Sequence, residues 1–191
     1  MTRRASAAAR TRQRIIDATR ELHGEQGISA TSWDDIAARA GVGVGTVYRH
    51  FPSLDELIPA CGEVSMQIVA PPEPESVPSL FAGVDNPAER MKRLVREAFA
   101  MYERGAPQLR AIRNEPEVHP HVAEAGEAFE ASLTALVDAA VEPAGVTPAD
   151  RAVVRAMVDL GTWQALRDQG LGPAEAVDAV SRMLSARSSG R

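Results

Sequence analysis

Little in this chain is aromatic: Phe, Trp and Tyr together make up 4% of its 191 residues. A core with so few rings has to be assembled from Ala, Val, Leu and Ile, and abundant alanine favours helices over a β-sandwich or barrel. Cys61 is the single cysteine, which excludes a disulfide framework or a cysteine-built metal site within one chain. Lysine is almost missing as well: Lys92 stands alone, so the positive charge is arginine. No apolar run approaches the roughly 18 residues needed to span a membrane. Met1 to Arg14 is basic but no apolar segment of a signal peptide follows it, so a soluble, cytoplasmic protein is expected.

The net charge of −5 argues against a nucleic-acid partner only if it is spread evenly. Residues 1–51 hold eight arginines against five acids, whereas residues 52–191 hold 13 basic against 21 acidic side chains. Arg3, Arg4, Arg10, Arg12, Arg14 and Arg20 crowd the first twenty positions. Such segregation fits a basic DNA-facing module on an acidic body, and fits a solvated basic tail equally well.

The pattern reads as helix after helix, with no alternating strand. A first helix is expected from about Arg10 to Glu25, burying Ile15, Ile16, Thr19 and Leu22. Thr31 or Ser32 then opens a second, each with an acid three residues on, the spacing of a capping box. Gly41 suits the left-handed end of that helix, and a short third helix should run from about Val44 to His50. A fourth follows to about Val69, with Pro59 inside it. The proline-rich stretch from Ala70 to Ser79 reads as a loop. Further helices are expected from Pro87 to Arg104, over a short piece near 108–113, from about Val118 to Val141, from Pro148 to about Gln169, and from Pro173 to about Ala186.

Two helices joined by a four-residue glycine-containing turn, the second of them short, have helix-turn-helix geometry. Ile36, Ala37, Ala40, Val42, Val47 and Phe51 are spaced to share a core with the first helix. Val44, Gly45, Thr46, Tyr48, Arg49 and His50 are left outward or at the edge. That set suits a major groove: Thr46 for a base edge or a thymine methyl, Val44 for apolar contact, Arg49 for guanine or phosphate. Tyr48 and His50 carry donors suited to phosphate, and Gly43 and Gly45 allow a close approach. The helix starts at Thr31 and Gly43 offer N–H groups to phosphate.

Residues 10–58, above all the runs Thr31–Val42 and Gly45–Ser53, resemble the TetR family of bacterial regulators. The resemblance implies an all-α homodimer: an N-terminal three-helix DNA-binding domain, and a C-terminal helical bundle that binds a small molecule and dimerises through its last two helices. It implies phosphate contacts from Thr31, Tyr48 and His50, and base-edge positions for Val44, Gly45, Thr46 and Arg49. Leu54 stands where the family often has a phosphate-contacting Lys, Gly43 and Val44 replace more polar residues, and His23 replaces a packed Phe. Fewer charged contacts follow, with Arg3, Arg4 and Arg10 expected to compensate from a flexible arm.

The expected division is residues 1–52 for DNA binding and 53–191 for ligand binding and dimerisation, 53–69 being a connecting helix. Phe99, Tyr102, Arg113, Phe129, Met157 and Trp163 are candidates for an effector pocket in the bundle. Val153, Val154, Val158, Val177, Val180, Met183 and Leu184 form apolar stripes suited to a four-helix dimer interface. His119 and His121 near Glu115, Glu117 and Glu124 could hold zinc, but looped histidines are more often solvated; no metal or cofactor is expected. Trp33 is expected in the seam of the first helices. No catalytic constellation is present in the sequence, so a DNA-binding repressor is favoured over a helical adaptor or a small enzyme.

Overall fold

The computed structural model describes residues 3–188, with the side chains of Arg3, Arg4, Arg187 and Ser188 outside that description. Among the described residues the regular structure is helical throughout. The helices are α1 (Arg3–Gln26), α2 (Trp33–Ala40), α3 (Val44–His50), α4 (Leu54–Val69), α5 (Val77–Leu80), α6 (Pro87–Asn114), α7 (Pro120–Val141), α8 (Pro148–Met157), α9 (Leu160–Asp168) and α10 (Pro173–Ser188). They divide into two compact units that are not consecutive in sequence. The first comprises the chain up to Ile68 together with Pro107–Glu127, and the second the rest. The boundary expected after residue 52 therefore does not coincide with the compact units, because α4 and a stretch sixty residues further on pack with the helix-turn-helix.

The first unit is built on one apolar cluster. Ile15, Ile16, Ala18 and Leu22 of α1 recur at helical spacing and meet Ile36, Ala37 and Ala40 of α2, Val47 of α3, Phe51, and Leu57 and Cys61 of α4. Burying each of the larger side chains stabilises the fold by about 1.5–3 kcal/mol. Thr19 is fully buried and donates its hydroxyl to Ile15 O at 2.8 Å, so its burial leaves no unmet donor. Burial pushes the Cys61 thiol up to about 12, so it stays protonated and packs as a small hydrophobe. α1 begins at Arg3 rather than near Arg10, since Ala5, Ala7, Ala8 and Ala9 extend it. The basic start is helical from Arg3 on and not a flexible arm.

The second unit packs Leu94, Val95, Phe99 and Tyr102 of α6 with Leu133, Leu136 and Val137 of α7, Val158, Trp163 of α9, and Val180 and Leu184 of α10. The proline-rich stretch is not a plain loop: a 3-10 turn, Pro74–Ser76, leads into α5. α6 is two helical pieces that meet at a break at Gly105 (φ −149, ψ 28), where the sequence expected one helix to end and a short one to follow, and the second piece runs to Asn114. A Cβ at Gly105 would lie 2.4 Å from a methyl of Val69, and only glycine permits that approach. The single helix expected from Pro148 to Gln169 is two: Asp159 accepts the Gly161 N–H at 2.8 Å and starts α9 afresh. Arg90, 9% exposed, pairs with no carboxylate among the described residues and donates to the carbonyls of Phe81, Val84, Ala139 and Ala140. The last two lie at the negative end of α7, where a cation is favoured.

Candidate nucleic-acid interface

The geometry of the first unit is set by local chemistry that begins at Ser32. Its hydroxyl accepts the Asp35 N–H at 3.1 Å while the Asp35 carboxylate accepts the Ser32 N–H at 3.2 Å, a complete capping box. The Ser32 hydroxyl also donates to that carboxylate at 2.6 Å, and this bond, with the one from the Ser32 N–H, holds the Asp35 carboxyl below its ordinary range. At the other end of α2, Gly41 adopts φ 64, ψ 43, and its N–H and that of Val42 return to carbonyls of the last turn. α3 then starts at Val44 after an extended Gly43, and stops at Phe51, whose ring is buried.

On α3, Val47 is fully buried, Gly45, Tyr48 and Arg49 are exposed, and Thr46 and His50 are half-buried. Arg49 Nη2 lies 3.2 Å from Thr46 Oγ1, so the two side chains expected at base edges form one hydrogen-bonded unit. A Cβ at Gly43 or Gly45 would meet no protein atom within 4 Å, so both positions open outward. Tyr48 is 45% exposed, and its ring packs at a tilt against Trp33 of α2 with centroids 4.9 Å apart. Trp33 also packs against the core, which places it in the seam and against the outward face at once.

Two assignments need correction. Val44 is half-buried and packs against the core cluster, because the first residue of so short a helix turns its side chain back over the turn. The Thr31 N–H is not free for phosphate: it bonds to Ile28 O at 3.2 Å, and the Thr31 hydroxyl donates to Gly27 O at 2.7 Å. Only the remaining lone pairs of that hydroxyl and the first amides of α2 face outward there.

Several arginines of α1 are tied to groups of their own unit, while the side chains of Arg12 and Arg14 stay at its surface. Arg14 donates to Ala40 O and Gly41 O, closing the C-terminal end of α2. The Arg12 guanidinium lies 4.7 Å from the centroid of the Phe51 ring. Arg20 donates to Ser65 Oγ at 3.2 Å, and Arg39 of α2 bridges Glu21 and Glu25. Arg10 is exposed, and the side chains of Arg3 and Arg4 lie outside the described residues. Charge counting could not reveal this, because an arginine that caps a carbonyl and one that meets solvent count alike.

Residues 15–61 match the family model for bacterial regulatory proteins of the tetR family. They are a TetR-family helix-turn-helix. The regulator SrpR of Pseudomonas putida is 48% identical over 56 residues, 29% of this chain and 26% of SrpR. The repressor KstR of Rhodococcus jostii is 43% identical over 53 residues, 28% of this chain and 25% of KstR. The chain thus spans about a quarter of the length of these relatives. The likeness of fold extends further. The TetR-like regulator LfrR of Mycobacterium smegmatis, solved with proflavine, superposes with a TM-score of 0.58 at 21% identity, covering 94% of this chain and 97% of LfrR.

Outside the TetR-family segment, the structure distributes the effector-pocket candidates between packing and surface. Phe99, Tyr102, Phe129 and Trp163 pack on one another, the Tyr102 ring lying 5.9–6.2 Å from the other three. The Tyr102 hydroxyl donates to Val158 O at 2.8 Å, and Trp163 Nε1–H donates to Glu103 at 2.9 Å. They form a buried core cluster; Met157 is half-buried, while Arg113 is exposed and belongs to the first unit. An open cavity of the second unit lies elsewhere, among Met91, Val141, Val154 and Leu184, with Arg90 and Asp150 also lining it. No sequence signal marked it, since its walls come from four separated helices.

The expected dimer stripes also turn mostly inward. Val154, Val158, Val180 and Leu184 are buried in the core of their own unit, Val153 and Val177 are half-buried, and Met183 is 60% exposed. An apolar stripe on a helix marks a buried face without saying whether its own chain or another covers it. The two histidine rings stack on each other with centroids 5.5 Å apart, but His119 faces Asp55, His121 faces Glu124, and Glu115 binds backbone amides. Among the described residues no three His, Cys, Asp or Glu gather to hold a metal ion, and no helix is long and apolar enough to cross a membrane.

Proposed function

We propose that this chain is a homodimeric, cytoplasmic transcriptional repressor that releases a palindromic DNA operator when a small-molecule effector binds its C-terminal helices. The observation that carries the reading is the outer face of α3. Thr46 and Arg49 are linked and presented together, Tyr48 is propped by Trp33, and Gly43 and Gly45 leave open space beside them. In this reading Thr46, Arg49 and Gly45 face base edges, Val44 makes at most an edge contact, and Tyr48, His50, Arg10, Arg3, Arg4 and the first amides of α2 serve the phosphates. These are donors and apolar groups for recognition, and the reading is of a regulator, not an enzyme.

Two copies would set their recognition helices about 34–36 Å apart in successive major grooves. Dimerisation is assigned to the outer faces of α8, α9 and α10, where Met183 is exposed. The repressor reading is supported by the similarity to KstR, a transcriptional repressor, and the effector by the proflavine bound to LfrR. For this chain the effector is assigned to the cavity of the second unit beside Arg90 and Asp150. Release requires only that the ligand bind one dimer geometry better than the other. Footprinting on the promoter regions of its own and neighbouring genes tests the proposal: a protected palindrome is expected, and no protection at low salt would refute it.

A further inference from the structure

The stretch from Glu115 to His121 packs in the first unit, though it lies more than sixty residues beyond the helix-turn-helix. Glu115, directly after α6, accepts the Ile28 N–H at 2.8 Å on one carboxylate oxygen and the Ser29 N–H at 2.7 Å on the other. Bonds to Ser29 hold its carboxyl below the ordinary range. Gly27 makes room for this: it has φ +94, and a Cβ there would lie 2.5 Å from a carboxylate oxygen of Glu115. Thr31 in turn hangs on the same residues, through Ile28 O and Gly27 O.

Four residues on, His119 Nε2 lies 3.0 Å from Asp55 in the first turn of α4. The His121 N–H donates to His119 Nδ1 at 3.2 Å, which leaves Nε2 as the protonated nitrogen facing Asp55. One short stretch thus holds both flanks of the helix-turn-helix: the loop ahead of α2 and the helix that follows α3.

We propose that Glu115, supported by His119, is a positioning residue for DNA recognition, fixing the Gly27–Ser29 loop and through it Thr31 and the start of α2. The inference rests on the DNA-binding reading above. Its logic is that the core of α1, α2 and α3 and the Ser32–Asp35 box do not involve Glu115. Removing the carboxylate therefore frees the loop without dismantling the core, and costs placement more than folding. The side chain touches no DNA-facing residue of α3, so the effect is the same whatever base sequence is bound.

The test uses the full-length protein, a duplex carrying the footprinted palindrome, and a temperature at which every variant is folded. Glu115→Gln keeps one acceptor oxygen and should bind about three- to tenfold more weakly, the worth of one hydrogen bond. Glu115→Ala should lose more than about tenfold. In both, the loss is equal across operator variants, the salt slope stays that of the parent because the displaced groups at the start of α2 are neutral amides and no cationic phosphate contact is removed, and the Ile28 and Ser29 amides exchange faster. A merely structural role would lower the melting temperature and leave the affinity of folded protein unchanged. Parent-like affinity in both variants, or tighter binding, overturns the proposal. A parent protein that binds no duplex at all overturns the DNA-binding reading instead, so the two failures are distinct.

Discussion

Gly45→Ala separates the needs of the fold from those of the DNA surface, because it should move stability and binding in opposite directions. Gly45 is the second residue of α3, in ordinary helical conformation, and a Cβ there meets no protein atom within 4 Å. Alanine loses less backbone entropy on folding than glycine, and in a helix the exchange stabilises by up to about 0.5–1 kcal/mol. Position 45 should therefore be occupied by a better helix former unless the space outside is needed. If DNA occupies that space, the methyl group holds the helix start off the groove, and affinity falls about tenfold, equivalent to about 1.4 kcal/mol. Urea denaturation monitored on the first unit and titration against the footprinted duplex give the two numbers on the same preparation. Raised stability with unchanged affinity would refute the placement of α3 against DNA, and lowered stability would refute the open geometry around Gly45.

Three further outcomes follow from particular contacts. Arg14→Ala removes a charged cap on the α2 carbonyls at the surface and should cost about 0.5–1.5 kcal/mol of stability with the salt slope of DNA binding unchanged, whereas Arg10→Ala should leave stability intact and reduce that slope by about one; equal slopes for the two would show that the capping and unattached arginines are misassigned. Thr46→Ala and Arg49→Ala should each relax discrimination among operator variants by about 1–3 kcal/mol, and the double variant should lose less than the sum because the side chains share a hydrogen bond; strict additivity in binding measurements would count against the linked pair. Burial lowers the His23 imidazole from 6.5 to about 4, so the folded state binds fewer protons than the unfolded state between those values. The stability is present above the higher value and is lost as pH falls through the window, by up to about 3 kcal/mol. In His23→Leu, denaturation curves across that window should be flatter than those of the parent.

The arginine distribution explains how a chain of net negative charge can carry a DNA-facing surface without a dense basic patch. Three of the arginines on α1, at positions 12, 14 and 20, and Arg39 on α2 hold the unit together through a ring, two carbonyls, a hydroxyl and two carboxylates. Leu54, 49% exposed at the start of α4, adds no charge where a basic residue would serve phosphate. In the proposed reading, affinity would rest on Arg10, Arg49, hydrogen bonding from α3 and the pairing of two copies, and fewer cationic phosphate contacts would make binding less salt-dependent.

The amino-acid sequence by itself determined the helix-turn-helix. Its signals are local: the Ser32 to Asp35 spacing, the left-handed preference of Gly41, the period of Ile15, Ile16 and Leu22, and the stop at Phe51-Pro52. Each acts within about one helical turn or across a single turn of chain, where periodicity and capping chemistry suffice. Tertiary structure alone decided the rest. Nothing near Glu115 announces that its carboxylate receives the amides of Ile28 and Ser29, because the partners are backbone groups 87 and 86 residues away. The inward turn of Val180 and Leu184, the burial of Tyr102 among its neighbours, and the break at Val158–Asp159 are likewise outcomes of packing. An apolar stripe states that a face is to be covered; only the assembled chain shows what covers it.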